Sequence, residues 1–145
     1  MDIDIRELRV GNIVDSAEYG RLIIDEIYTH RGNELSCQEL KSRKGRILPL
    51  SYVFQVYIDE FLLRCLGFKK EVDEIIHIYD YNICVKNYFI RIGKYSNTLG
   101  RNYNIHIDNQ NRDSISCTDI QYLHQLQNAI YDATGEELDV KDLFK

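Results

Sequence analysis

One stretch near the C-terminus leaves this chain the least choice. Ile120, Leu123, Leu126, Gln127 and Ile130 recur at helical spacing, with Tyr122 and Tyr131 beside them and Gly135 just beyond. A stripe of that spacing belongs to an amphipathic helix that must bury one face. Thr118 suits the N-cap, and Gln121 three positions on can complete a capping box. Gly135 suits the left-handed residue that ends a helix. The spacing therefore predicts a helix over 119–134, with the tail leaving through Leu138 and Val140.

What that helix packs against is written upstream in short alternating runs. Residues 8–14 and 21–28 read as two strands around a polar turn at 15–20, with Gly11-Asn12 marking a bend or bulge. A turn at 30–33 leads to a third strand over 35–40 and then to a basic loop at 41–46. Three short strands joined by tight turns resemble the opening of a small SH3-like barrel. Residues 47–50 must be extended, because Pro49 restricts the residue before it. Ile58, Phe61, Leu62, Cys65 and Leu66 then share one helical face, Asp59 and Glu60 suit its positive end, and Gly67 suits its C-terminal cap.

Residues 74–116 turn β-rich, with strands expected at 75–79, 82–85, 88–92, 103–107 and 114–117. Tyr88, Ile90 and Ile92 alternate against Phe89 and Arg91, while Tyr103, Ile105 and Ile107 alternate against Asn104, His106 and Asp108. Side chains on one strand alternate between two faces, so these two segments pair as a hairpin across 93–101. The expected fold class is α+β: an SH3-like three-stranded unit, a short middle helix, an antiparallel meander, and a C-terminal amphipathic helix packed on the sheet. A chain of 145 residues suits a single domain, 1–145, with sub-units at 1–50 and 51–145.

Composition narrows the function classes. The N-terminus Met1-Asp2-Ile3-Asp4 carries no secretory pattern, and no run of about 18 apolar residues occurs, so the expectation is a cytoplasmic protein without membrane contact. Cys37, Cys65, Cys84 and Cys117 match no metal knuckle or redox pair and read as apolar fillers. No cofactor or metal is expected. The net charge of −5 is unevenly laid out: residues 41–46 carry four cations and no anion, whereas 1–40 and 113–145 are acidic.

Three blocks set the chain beside a known group. The opening Ile5-Arg6-Glu7-Leu8-Arg9-Val10-Gly11-Asn12, the middle Leu48-Pro49-Leu50 with Leu66-Gly67-Phe68, and Tyr122-Leu123-His124-Gln125-Leu126-Gln127-Asn128 with Ala133-Thr134-Gly135-Glu136-Glu137-Leu138 together resemble a family of small uncharacterised proteins of Bacteroidota phage-like and mobile elements. The resemblance spans nearly the whole chain in the expected order. It implies a lineage and a genomic setting and no activity. The chain departs from the pattern at 51–57 and at 129–132.

Chemistry-bearing residues are each weighed against an ordinary structural role. His124, Gln125, Gln127 and Asn128 suit a polar face for a partner or a general base at His124, or an ordinary role in which Gln125 and Asn128 face water while His124 and Gln127 hydrogen-bond to neighbouring strands. Cys117 near His106 or His124 lacks an oxyanion loop and reads as core. His77, His106, Asp80 and Asp108 lack the spacing of a metal site. Lys41, Arg43, Lys44, Arg46, Arg91, Lys94 and Arg101, with Tyr88, Tyr95 and Tyr103, are the most function-like set, since cations neutralise phosphates and tyrosines stack on bases. A pI near 5.3 opposes general nucleic-acid affinity. The leading expectation is a non-catalytic binding or accessory protein acting through a protein partner or a second copy of itself, for which the tyrosines, His124, Gln125 and Asn128 are the candidate contacts. A nucleic-acid-binding accessory factor is the alternative, and a small enzyme the third.

Overall fold

The computed structural model describes residues 3–30, 32–70, 81–93, 102–109 and 114–144, with the side chains of 116–118 and 144 outside that description. The fold is mixed α+β and mostly antiparallel sheet, with a helix near the C-terminus. The chain divides into two compact units: Met1–Tyr57 with Tyr122–Asn128 and Phe144–Lys145, and Ile58–Gln121 with Ala129–Leu143.

In the first unit, β1 (Ile13–Ser16), β2 (Gly20–Tyr28), β3 (Glu34–Glu39) and β4 (Gly45–Pro49) follow one another. A 3-10 turn at Leu50–Tyr52 then delivers the two-residue β5 (Val53–Phe54). The sheet order is β4-β3-β2-β1-β5, all antiparallel, so the last strand returns to pair with the first. The three expected strands become five. The two additions were hard to read because β4 is an edge strand whose residues are exposed or half-buried in alternation, and β5 is too short to show a period. Pro49 is tolerated there, since an edge strand can spare a donor. Val14, Leu22, Ile24, Leu35, Cys37 and Val53 form the core of this unit, with Ile3 and Leu8 from the opening segment. Gly11 enters β1 at φ 93°, and its N–H donates to the Ile24 carbonyl at 2.8 Å, which makes the expected bend.

The second unit begins with α1 (Glu60–Cys65), whose N-cap Asp59 accepts from the Leu62 N–H at 2.7 Å. Gly67 ends it at φ 93°, as its position suggested. The buried face differs from the expected one: Leu63 is fully buried, while Phe61 is 74% exposed. At 100° per residue, a face centred on Leu62, Leu63 and Leu66 turns Phe61 outward. The strands β6 (Lys69–Lys70), β7 (Tyr81–Val85), β8 (Tyr88–Gly93), β9 (Tyr103–Asn109) and β10 (Ser114–Ile120) form a second antiparallel sheet in strictly sequential order. The expected hairpin is present in register, with Ile90 opposite Ile107 and Ile92 opposite Ile105. The strand expected at 75–79 lies outside the described residues.

Helix α2 (Leu123–Thr134) starts a turn later than its sequence suggests. β10 runs through Ile120, and Asp119 sits at φ 61°, which no helix accommodates. The capping chemistry is nevertheless present one turn on, where Gln125 Oε1 accepts from the Tyr122 N–H at 3.1 Å. Gln121 instead donates to Asn102 Oδ1 at 2.6 Å. At the far end Gly135 takes φ 73° and its N–H reaches the Tyr131 carbonyl at 2.8 Å. Among the described residues no helix is long and apolar enough to cross a membrane.

Candidate functional site

The polar face of α2 is occupied by structural hydrogen bonds within the first unit. Gln127 Oε1 accepts from the Ile13 N–H and its Nε2 donates to the Gly11 carbonyl, each at 2.9 Å. Asn128 Nδ2 donates to the Glu7 carbonyl at 2.7 Å, and its Oδ1 accepts from Arg9 Nε at 3.2 Å and Asn12 Nδ2 at 2.9 Å. These amides satisfy the backbone groups at the bend into β1 that β2 does not reach, such as the Gly11 carbonyl and the Ile13 N–H. His124 is buried, stacks parallel to Tyr122, and lies 3.5 Å from Glu7 Oε2 through Nε2, while its Nδ1 has no hydrogen-bond partner among the described residues. Burial holds its pKa below the ordinary value, against the opposing pull of Glu7. His124, expected as a partner contact, is thus buried away from the surface, whereas Asn128 is half-buried with its amide already engaged.

Of the tyrosines proposed as contacts, Tyr103 is a core residue of β9, Tyr88 is half-buried on β8, and Tyr95 lies outside the described residues together with Lys94 and Arg101. Arg91 is tied down on the outward face of the second sheet. Its Nη2 donates to Asp108 Oδ2 at 3.2 Å, and His106 Nε2 lies 2.8 Å from Asp108 Oδ1. His77 and Asp80, the other members of the metal set considered above, lie outside the described residues, as does the side chain of Cys117. Among the described residues no three His, Cys, Asp or Glu side chains gather as a metal site. Cys37 is buried in the first core, which pushes its thiol pKa up to about 12 and leaves it inert near neutrality.

The basic loop is where surface character survives. The Arg43 N–H donates to the Glu39 carbonyl at 3.0 Å and the Glu39 N–H to the Lys44 carbonyl at 2.9 Å, closing a tight turn between β3 and β4 with Arg43 at φ 63°. Arg46 is engaged twice, by Glu39 Oε2 at 3.2 Å and by the face of the Tyr19 ring, 4.3 Å from its centroid. Lys41 and Lys44 are exposed and hold no ion pair among the described residues.

Beside this loop lies a groove that the sequence did not announce. The β1–β2 turn supplies Ser16, Ala17, Glu18 and Tyr19, β4 supplies Leu48, and the 3-10 turn with β5 supplies Ser51, Tyr52 and Phe54; together they enclose about 390 Å³. Tyr52 is 62% and Phe54 48% exposed, although large rings at such positions gain by burial. Leu48 and Tyr19 are half-buried against the core and form the groove's firm side. Ser16 Oγ accepts from the Tyr19 N–H at 3.0 Å and donates to the Gly20 carbonyl at 3.1 Å, so the turn that aims Tyr19 is braced. The available signal was positional: Tyr19 sits inside a polar turn and Tyr52 just past Pro49, where no alternation assigns either ring to a core. A second hollow of about 400 Å³, lined by Ile3, Gly32, Pro49, Leu50 and Val53 among others, shares Ser51 and Phe54 with the first.

A concave, apolar, aromatic-rimmed groove with cations at one side can seat side chains of an extended segment. Set against known proteins, the chain matches no protein-family model, no curated protein and no solved structure.

Proposed function

We propose that this chain is a binding module whose first unit docks an extended segment of a partner protein in the groove between Tyr19, Leu48, Tyr52 and Phe54. The observation that carries the reading is the pair of half-exposed rings, Tyr52 and Phe54, rimming a preformed apolar hollow. Clustered exposed apolar surface on a folded domain marks interaction sites. The SH3-like reading of the unit is part of the same proposal. Its support is the strand order β4-β3-β2-β1-β5 with a 3-10 turn before the short closing strand. Aromatic-lined grooves on such barrels take extended peptides. An accessory role inside the cell, in the mobile-element setting implied by the family resemblance, is the biological form of the proposal.

The test is selection of short random peptides displayed on phage against the purified protein, followed by amide-shift mapping of the best binder. Shifts concentrated at residues 16–19, 48 and 51–54, and loss of binding in Tyr52→Ala with the melting temperature unchanged, are the expected results. Binders that map elsewhere and tolerate Tyr52→Ala would overturn the reading.

A further inference from the structure

Resting on that docking reading, we infer that the segment received by the groove is acidic: an apolar anchor residue seated against Leu48, with carboxylates about four residues away that lie on Lys41 and Lys44. The argument starts from continuity. β4 is a single extended strand from the basic turn to the groove floor, with Arg46 stacked on Tyr19 and Leu48 two residues further along. At ~3.3 Å per residue, Lys44 and Leu48 are about 13 Å apart along the chain. An extended ligand lying along β4 therefore covers the anchor site and the turn with a handful of residues.

Charge decides what that far end carries. Arg46 is already matched by Glu39 and by the Tyr19 ring, whereas Lys41 and Lys44 stand exposed with no counter-ion among the described residues. Glu18, exposed on the groove's lining, is a carboxylate that an anionic ligand meets there. A short acidic tract confined to the turn gains from both lysines and avoids most of that opposition.

A nucleic acid meets the same cations less well. The face of Tyr19 is covered by the Arg46 guanidinium, so this ring offers no stacking platform to a base. The net charge of −5 penalises a long polyanion more than a few carboxylates held at one place.

The experiment compares three fluorescein-labelled peptides by anisotropy, each with a central Leu-Phe anchor and with Glu-Asp, Ser-Ser or Lys-Lys four residues away, alongside labelled oligo(dT). The proteins are wild type, Tyr52→Ala, Glu18→Gln and the double variant Lys41→Glu with Lys44→Glu, whose sites are exposed. Two rim ion pairs predict that the acidic peptide binds about three- to tenfold tighter than the serine peptide at low salt. That preference should fade at high salt, grow in Glu18→Gln, and invert towards the lysine peptide in the double variant.

Equal affinity for all three peptides, with all lost in Tyr52→Ala, overturns the acidic assignment and leaves the docking groove standing. Failure of every peptide overturns both. Oligo(dT) bound more tightly than the acidic peptide, and released by the double variant, overturns the assignment in favour of a nucleic-acid ligand.

Discussion

Each unit is built on a five-stranded antiparallel sheet, yet the two sheets are closed differently. In the second, every strand pairs with its sequence neighbour, β6 through β10, and the outward residues of the central strands answer one another, Arg91 and His106 both engaging Asp108. In the first, β5 returns past three strands to pair with β1, and the connection must turn on Leu50–Tyr52 to get there. That non-local return holds Tyr52 and Phe54 beside the β1–β2 turn and makes a hollow between elements far apart in sequence. The comparison teaches where binding capacity arises: a sequential meander can satisfy its polar face pairwise, whereas a strand brought back from afar leaves a seam.

The first unit also depends on α2, which reaches it only after 64 intervening residues, and the largest expected effects fall there. Leu126 is fully buried, so Leu126→Ala should lower unfolding free energy by about 2–5 kcal/mol in a chemical denaturation series, through the cavity it leaves. Gln127→Leu should cost about 1–3 kcal/mol by orphaning the Ile13 N–H and the Gly11 carbonyl, with amide exchange at Ile13 accelerated first. A loss no larger than that of a surface substitution would mean that water replaces the amide and that the anchor is dispensable.

His124 gives the same region a pH signature. Its folded pKa is depressed by burial, so the neutral form is favoured in the fold and the unfolded chain binds the proton more readily. The contribution to stability is complete above the unfolded value of about 6.5 and is lost as pH falls below it toward the folded pKa. Melting temperatures measured near pH 7 and near pH 5 should therefore converge in His124→Phe relative to wild type. An unchanged acid slope would assign the loss to other groups.

The second unit supplies the contrast. Arg91 and Asp108 are both about one-third exposed, so Arg91→Gln should change stability by only about 0–1 kcal/mol, as surface pairs do. Smallest of all, Tyr52→Ala should leave stability within about 0.5 kcal/mol while removing peptide binding. A destabilisation of Tyr52→Ala comparable with that of Gln127→Leu would make the ring structural and close the seam as a site.

Much of the local structure was legible because its causes are local. Gly135 and Gly67 end helices where a left-handed residue is needed, Asp59 caps α1, and the alternation in β8 and β9 fixes their pairing. The misread positions are those where a distant partner overrides a local preference. Thr118-to-Gln121 has the composition of a helix start, yet β10 runs on to Ile120, which pairs with Tyr103 of β9 beyond a register shift after Cys117. Phe61 falls on an apolar stripe, yet α1 turns Leu63 to the core instead.

What the sequence by itself determined is the class of most elements, the glycines that end both helices, and the clustering of four cations at 41–46, since each follows from spacing within a few residues. Only the tertiary structure decided that the amides of α2 serve the bend at residues 9–13, that Arg91 is matched by Asp108, and that Tyr19, Leu48, Tyr52 and Phe54 meet around one hollow. Periodicity reports which face a side chain takes within its own element. Which elements then share a face is set by strand order, and a strand whose Phe54 pairs with Asp15 of β1 from 39 positions away leaves no local mark of doing so.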